Sequence, residues 1–383
     1  MWVAMRRLAW VLLSLSCGAR TDLGGTHGAD AGSNGTCSPA PAAPKSCTSW
    51  VAGTPQAIAT GALLGDAVAS GCGVLVAFHT TKNQSIAWST RWVDFDGAML
   101  APSVAHPSLD AKTVQSADVS LAEGAMLEDD ETGCHFMMID GEGHETDTMK
   151  SLGGPGCRSL AHTGTQWSFL RTADGGGGAS LVVVDQGYEL ETPLVFSSAQ
   201  YVWDRVVFGD GSFLVSGFWE DEQTATYTNW LTPFDVHGGE LGSSVAVFGF
   251  ESAPVLVARA GDHTLAAWQW TDVSALSVGK DGQPLSLVQN VTTDSPIYDL
   301  SLFAQPNGDV LFAWIVLDEQ TNDFSLHARI VTPDGMPRGP ATLLSNDVTS
   351  FQVHGAIEST NARALLTLTT KDGTIEALPL TCQ

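Results

Sequence analysis

The sequence predicts an all-β protein built from one repeated structural unit. Two segments, residues 73–102 and 309–340, align with one another throughout. Each contains an apolar strand ending in an aromatic residue, a polar loop, a strand of alternating apolar and polar residues, an Asp-Gly pair and a short closing strand. Asp-Gly is typical of tight turns between antiparallel strands, because glycine tolerates positive φ. No segment has a helical apolar stripe of useful length.

The same order of strand and turn recurs along the chain and gives seven units. Their turn glycines are separated by roughly 40 to 50 residues, which is typical of a four-stranded β-propeller blade. One blade cannot bury both faces alone, so blades must stack and the ring must close. The last unit has room for about three strands, and we expect residues 49–60 to supply its missing outer strand. The turn glycines are Gly97, Gly141, Gly187, Gly238, Gly282, Gly335 and Gly373.

The predicted domain is therefore an all-β propeller, with seven four-stranded blades, over residues 47–383. Six or eight blades also fit, because the second and third units are degenerate. A pair of β-sandwiches is the competing architecture, which the regular spacing disfavours. Tryptophans at strand ends, such as Trp88 and Trp314, are expected to fill the interfaces between blades rather than to form a sugar-binding platform.

The N-terminus has the composition of an export signal. Arg6 and Arg7 precede an apolar run over residues 8–15, and small residues lead to Cys17. This run is shorter than the roughly 20 residues that span a bilayer as a helix. Residues 18–46 are rich in Gly, Ala, Ser and Pro with almost no large apolar side chain, so they are predicted to form a disordered tether.

The junction at residues 13–17 resembles the lipobox of bacterial lipoproteins, in which the cysteine is lipidated. Ser14 departs from that pattern, which prefers leucine three positions before the cysteine. An ordinary signal peptide cleaved near Ala19 is the alternative. With its tether and its strand-ending aromatics before Asp-Gly turns, the whole chain resembles bacterial lipoproteins that carry a propeller-like domain. The resemblance implies membrane attachment through lipidated Cys17 and, because Gly18 is not aspartate, an outer-membrane location; it brings no catalytic residue.

Cysteine usage also favours an exported protein. If Cys17 is lipidated, an even number of cysteines is left, and these are predicted to form disulfides. We expect Cys134 to pair with Cys157, and Cys47 or Cys37 to pair with Cys382. Zinc is disfavoured because no close Cys-x-x-Cys pair is present. The predicted disulfide cysteines are Cys37, Cys47, Cys72, Cys134, Cys157 and Cys382.

The chain carries a formal net charge of -25. Such a surface repels phosphate backbones, which argues against nucleic-acid binding, and it matches anionic lipid headgroups poorly. A lipid on the N-terminus would therefore supply the membrane contact. The partners that fit an envelope location are another envelope protein or a polysaccharide.

Acidic residues concentrate in the predicted loops between the second and third strands of the blades. These loops emerge on one face of a propeller, so one rim should be acidic and could bind calcium or a cationic partner. Solvated loops in an acidic protein are the alternative. The rim residues are Asp129, Asp130, Glu131, Glu220, Asp221, Glu222, Asp318, Glu319 and Asp323, with Asp174 and Asp272 in the equivalent loops of other blades.

Other patterns indicate structure rather than chemistry. Residues 94–97 are predicted to form a hairpin turn rather than a calcium loop, because further ligands are missing. Histidines and carboxylates crowd residues 135–147, but strand alternation would divide them between two faces. The sequence thus favours a non-catalytic binding or scaffolding domain without a cofactor. A propeller enzyme acting on a glycan, as a hydrolase or lyase with acids in the central channel, is the alternative.

Overall fold

A computed structural model describes most of the region from Cys47 to the C-terminus. The strand limits given below all refer to that part of the chain. Signal, Cys17, tether and Cys37 lie outside the described residues. The internal segments that are also outside are 83–84, 108–117, 123, 131–132, 148–149, 153–155, 173–178, 186–187, 195–200, 210, 222–225, 251–254, 261–262, 270–271, 293–295, 350–352, 359 and 361. No helix among the described residues is long and apolar enough to cross a bilayer.

The described residues form seven antiparallel sheets, which confirms the predicted seven-bladed propeller. Blade 1 contains β3 (Leu63–Ser70), β4 (Gly73–Lys82), β5 (Ser85–Asp94) and β6 (Val104–Ala105), and blade 2 contains β7 (Asp118–Ala122), β8 (Ala125–Asp130), β9 (Gly133–Met138) and β10 (Lys150–Ser151). Blade 3 contains β11 (Cys157–His162), β12 (Trp167–Thr172), β13 (Ala179–Asp185) and β14 (Tyr188–Leu194), and blade 4 contains β15 (Tyr201–Gly209), β16 (Ser212–Asp221), β17 (Thr226–Asp235) and β18 (Val245–Phe250).

The remaining blades follow the same order except at the chain ends. Blade 5 contains β19 (Leu256–Ala260), β20 (His263–Gln269), β21 (Val273–Val278) and β22 (Gln289–Thr292), and blade 6 contains β23 (Ile297–Ala304), β24 (Val310–Asp318), β25 (Asp323–Val331) and β26 (Pro337–Val348). Blade 7 contains β27 (His354–Ile357), β28 (Arg363–Thr369) and β29 (Thr374–Cys382), with β1 (Trp50–Ala52) and β2 (Gln56–Thr60) from the other end of the chain.

The first strand of each blade packs against the first strands of both neighbours, so these strands surround the axis. The ring closes because β1 and β2 pair antiparallel with β29 as the outer strand of blade 7. This confirms the outer strand that was predicted for residues 49–60. A disulfide between Cys47 and Cys382 joins the same two segments.

Two predicted disulfides are confirmed. Cys134 in blade 2 is bonded to Cys157 in blade 3, and Cys47, rather than Cys37, is the partner of Cys382. Cys72 is disulfide-bonded as well. The Cys134–Cys157 bond links adjacent blades, which no sheet joins, whereas the Cys47–Cys382 bond reinforces the strand pairing that closes the ring.

Among the described residues, the hydrophobic core forms seven clusters of buried side chains, one at each interface between neighbouring blades. Alternation along β4 produces two of them: Val74 and Val76 face blade 7, whereas Leu75 and Ala77 face blade 2. Successive side chains of such a strand point to opposite faces, and both faces are covered by a neighbouring blade. The strand sequence is therefore apolar at nearly every position. Trp88, Trp92 and Trp314 are buried in these clusters, as predicted for interface tryptophans.

Most of the predicted turn glycines join the third and fourth strands. At Gly97, Gly238, Gly282 and Gly335 the φ angle is positive, and the glycine N–H donates to the carbonyl three residues earlier. Blade 2 differs from the prediction, because Gly143 rather than Gly141 has this conformation (φ 91°). Gly373 forms the same turn but between the second and third strands of blade 7, where the chain is one strand short. Gly187 lies outside the described residues.

Candidate functional site

Several of the innermost strands are irregular at polar residues. The pairing of the first with the second strand shifts register at four places: between Leu64 and Asp66 in blade 1, between Arg158 and Ala161 in blade 3, between Trp203 and Arg205 in blade 4, and between Ile297 and Asp299 in blade 6. A β-bulge redirects side chains and often lies near a functional site. These positions are on the side of the ring where the loops between second and third strands emerge, because the first strands begin there.

Asp66 connects blade 1 to both of its neighbours. One carboxylate oxygen accepts a hydrogen bond from the backbone N–H of Ala67 at 2.8 Å and lies 2.9 Å from Nδ1 of His354 in blade 7. The other oxygen accepts the N–H of Leu121 in blade 2 at 2.6 Å. Three partners on three blades thus hold this carboxylate, and hydrogen bonds to a charged acceptor are stronger than neutral ones.

Asp299 plays the same part between blades 6 and 7. Its carboxylate accepts the N–H of Val353 at 3.1 Å. Burial raises the pKa of Asp299, while that hydrogen bond and the positive charges of His354 and Arg205 oppose the increase. Val353 and His354 are consecutive, so blade 7 is held by Asp299 on one side and by Asp66 on the other.

A serine replaces the carboxylate between blades 3 and 4. Ser159, which has a positive φ of 57°, accepts the N–H of Val206 at 3.0 Å through its hydroxyl oxygen and donates to the carbonyl of the same residue at 3.2 Å. The common arrangement is a polar side chain at a bulge that binds the backbone of the next blade. The polar groups named here act as links between blades, and Arg205 adds an exposed cation near them.

A second set of buried polar groups lies between blades 1 and 2. Trp88 donates its indole N–H to Oε1 of Glu128 at 2.6 Å, and only 1% of Glu128 is exposed. The ring of His79 meets Trp88 edge to face, with centroids 4.7 Å apart. Burial lowers the pKa of His79. The only sequence signal for this pair was a glutamate that directly follows the apolar residues of β8.

Thr90, His106 and Glu145 form a row in the outer part of the same interface. Nε2 of His106 lies 2.9 Å from Oγ1 of Thr90, and Nδ1 lies 3.5 Å from Oε1 of Glu145. The order resembles a hydroxyl, base and acid triad, but Thr90 and His106 are completely buried. A buried hydroxyl is inaccessible to a substrate, so this row joins the two blades rather than performing chemistry.

Part of the predicted acidic rim lies among the described residues. Asp318, Glu319 and Asp323 lie at the loop between β24 and β25 and are exposed. Asp318 accepts the backbone N–H of Gln320 at 2.8 Å, and Asp323 binds Lys371 of blade 7 at 2.7 Å. The hydrogen bond from Lys371 lowers the pKa of Asp323. Local bonds thus engage two of these carboxylates, and cation binding stays a prediction.

The other rim residues give less information. Asp129 and Asp130 end β8, and Glu220 and Asp221 end β16, so they belong to the predicted face. Glu131, Glu222 and Asp174 lie outside the described residues. Among the described residues, one group has metal-ligating atoms close together, namely Asp129, Cys134 and Cys157. Its two sulfur atoms are bonded to each other, so they are not available as thiolate ligands.

The structure brings only part of the cluster over residues 135–147 together, since Nδ1 of His144 lies 3.2 Å from Oδ2 of Asp140 within one turn. Asp140 accepts the N–H groups of Glu142 and His144 at 2.9 and 2.8 Å and therefore stabilises its own turn. Glu145 faces His106 instead. Asp94 has the same turn role as Asp140, accepting the N–H groups of Asp96 and Ala98, which agrees with a hairpin turn rather than a calcium loop.

Comparison with known proteins adds no functional assignment. No protein-family model matches the sequence, and no curated protein is similar to it. Similar solved structures include the Dos1 propeller, at 13% identity over 86% of this chain and 94% of that chain, with a TM-score of 0.48.

Two further solved structures align with this chain over most of their own length. One is a subtype N10 neuraminidase-like protein of A/little yellow-shouldered bat/Guatemala/060/2010, at 11% identity over 70% of this chain and 94% of that chain, with a TM-score of 0.46. The other is the Cps50 (Swd1) β-propeller domain of Myceliophteria thermophila, at 14% identity over 83% and 99% of the two chains, with a TM-score of 0.44. The sheet order of this chain establishes it as a seven-bladed β-propeller.

Proposed function

We propose that this chain is an exported envelope protein, anchored through a lipid on Cys17, whose propeller binds a partner and does not catalyse a reaction. The proposal rests on one observation: the polar groups near the axis hold neighbouring blades together. Asp66, Asp299 and Ser159 bind the backbone of neighbouring blades. Groups engaged in this way stabilise a rigid ring, and a rigid ring suits presentation of a binding surface.

The anchor rests on the sequence of the first residues and on the disulfides. A Gly/Ala/Ser-rich tether after Cys17 would hold the propeller away from the membrane, and disulfides persist in oxidising compartments. Mass spectrometry of the mature N-terminus from cells expressing the full chain tests this part. We expect a lipid-modified Cys17, which the Cys17→Ser variant loses. A mature chain that starts at Gly18 or later would contradict the anchor.

A glycan hydrolase or lyase is the second candidate, and one observation favours it. The pKa of Asp299 is raised by burial, as expected for a general acid, and Asp66 lies on the first strand of a nearby blade. Paired carboxylates about 5 to 10 Å apart are the arrangement that glycoside hydrolysis uses. The Asp299 carboxylate, however, already accepts a hydrogen bond from the backbone of Val353, which gives it a structural role between blades 6 and 7.

One assay separates the two candidates. The full chain is incubated with cell-envelope polysaccharide, and two quantities are measured: protein that co-sediments and reducing ends or unsaturated sugars that are released. We expect co-sedimentation without release. Release that disappears in Asp299→Asn, while the matched variant Asp372→Asn of an exposed turn still releases product, would establish the enzyme. If the protein neither co-sediments with the polysaccharide nor releases product from it, polysaccharide is excluded as the partner.

A further inference from the structure

The large apolar side chains on the surface are concentrated on one side of the ring. Of the ten exposed ones found among the described residues, seven belong to the outer edges of blades 5, 6, 7 and 1. Leu287 is 82% exposed and Leu285 is 64% exposed. The seven are Leu285, Leu287, Val288, Met336, Leu343, Val51 and Met99.

Acidic residues are absent from most of the length of the same four edges. We call the segments 283–292, 336–346, 50–60 and 98–105 the outer arc; they contain no Asp or Glu, although the chain has 42 of them. The corresponding segments of the other three blades each contain at least one, at Glu145, Glu189 and Glu240. Carboxylates begin again at the borders of these segments, at Asp96, Asp281 and Asp334 and at Asp347, which is the penultimate residue of β26. Charge segregation of this kind indicates a surface that faces a different environment from the rest.

The four edges are neighbours in space. The outer strands β22, β26 and β1 contact one another in that order. A Cβ on Gly335 of blade 6 would lie 3.6 Å from Gln289 of blade 5, and one on Gly97 of blade 1 would lie 3.0 Å from Gln56 of blade 7. The outer arc is therefore one continuous surface across four blades.

The N-terminal segment leaves the ring in the middle of this surface. The carbonyl of Cys47 accepts a hydrogen bond from Arg338 of blade 6 at 3.3 Å, and the disulfide fixes Cys47 to blade 7. The 46 residues before Cys47 contain the proposed lipid site and the tether. A tether that is flexible over residues 18–46, as their composition predicts, would have an end-to-end distance of about 30 Å, so a membrane that holds Cys17 would lie within reach of the outer arc.

We propose that the outer arc lies against the membrane to which the chain is anchored, with the opposite edge and the acidic rim directed away. This inference rests on the proposed lipid anchor. An anionic membrane surface repels carboxylates, and the outer arc has none. Lys280, an exposed cation in the turn just before the blade 5 segment, favours the same surface, whereas Arg338 within the arc is paired with the buried Asp309 at 2.8 Å. The tether raises the local concentration of membrane to about the millimolar range, so a weak apolar contact suffices.

Depth-dependent fluorescence tests this orientation without relying on lipidation in the cell. The full mature chain carries a hexahistidine tag in front of Gly18 and is bound to phosphatidylethanolamine and phosphatidylglycerol vesicles that contain a nickel-chelating lipid. An environment-sensitive dye is attached at Leu285→Cys or, as the matched control, at Thr146→Cys. Leu285 and Thr146 occupy equivalent positions, because each donates its N–H to the third strand of its own blade, and both are exposed.

We expect the dye at position 285 to shift to shorter wavelength and to be quenched by doxyl-labelled lipid at least about twofold more than the dye at position 146. Equal quenching at the two positions would overturn the proposed orientation. A wavelength shift at position 285 without vesicles would show contact between copies of the chain and would also overturn it. Because the tag supplies the anchor, failure here is distinct from failure of Cys17 lipidation, which mass spectrometry reports.

Discussion

Single polar residues decide how blades 1 and 2 hold together. His106 is completely buried beside Thr90 and Glu145. Burial lowers the pKa of His106 from its ordinary value of 6.5, and the nearby Glu145 carboxylate opposes this in part. His144 is the other charged group that acts on it, and it acts in the same direction as burial. The neutral imidazole is therefore the form that the fold favours.

This residue predicts a pH dependence of stability. Because the pKa of His106 is lower in the folded than in the unfolded chain, the unfolded chain binds the proton more readily. The stabilisation is complete above about pH 6.5 and is lost as the pH falls through the lowered folded value. Urea unfolding of wild type and His106→Gln between neutral and mildly acidic pH measures it. We expect wild type to lose more stability than the variant; parallel curves would contradict the prediction.

At the scale of elements, the third-to-fourth-strand turns of blades 1, 2, 5 and 6 pack closely on the preceding blade. A Cβ on Gly282 of blade 5 would lie 3.4 Å from the carbonyl of Leu231 in blade 4, and one on Gly335 of blade 6 would lie 3.5 Å from Leu276 in blade 5. Gly143 is the closest case, since its Cβ would lie 2.3 Å from Oγ1 of Thr90 in blade 1. Glycine is needed there both for positive φ and for this approach.

A pair of alanine substitutions separates the two requirements. Gly373→Ala should cost about 1 kcal/mol, because φ is 79° and nothing lies within 4 Å of the new Cβ. Gly143→Ala should cost about 1 to 3 kcal/mol more, because the new Cβ displaces Thr90. Denaturant unfolding gives both values, and the additional cost should fall in a Thr90→Ala background. Equal costs for the two variants would contradict close packing at Gly143.

At the scale of the whole molecule, the ring depends on joining its two ends. The Cys47–Cys382 bond spans 335 residues, whereas Cys134–Cys157 spans 23. Sheet pairing of β1 and β2 with β29 closes the ring, and the long disulfide restricts the unfolded chain far more than the short one does.

The two disulfides should therefore differ in their effect on stability. In the chain-entropy description, removing the long one costs about 2 kcal/mol more than removing the short one. The double variants Cys47→Ser/Cys382→Ser and Cys134→Ser/Cys157→Ser are compared by urea unfolding. A larger loss from the short disulfide would show that the fixed contact between blades 2 and 3 matters more than ring closure.

The fold could be predicted from the sequence because its signals are local and repeated. Asp-Gly turns and alternating strands specify hairpins, and their period specifies the blade. The shortage of one strand at the C-terminal end predicted closure by the N-terminal segment. The predicted turn glycine of blade 2, Gly141, was wrong by two residues. The sequence Asp-Gly-Glu-Gly contains two glycines, and only the hydrogen bonds of the structure identify Gly143 as the turn residue.

The sequence by itself predicted the repeated blade with seven units, the closure by residues 49–60 and the Cys134–Cys157 disulfide, since each depends on pattern and spacing along the chain; the structure excluded six or eight blades and chose Cys47 over Cys37 as the partner of Cys382. Only the tertiary structure brought Asp66 to His354, Asp299 to Val353 and Trp88 to Glu128, because these partners are separated by many residues and belong to different blades. It also brought the acid-poor outer edges of four blades together as one outer arc around Cys47. Contacts across blade interfaces depend on side-chain direction and on the stacking of sheets, and strand periodicity specifies neither.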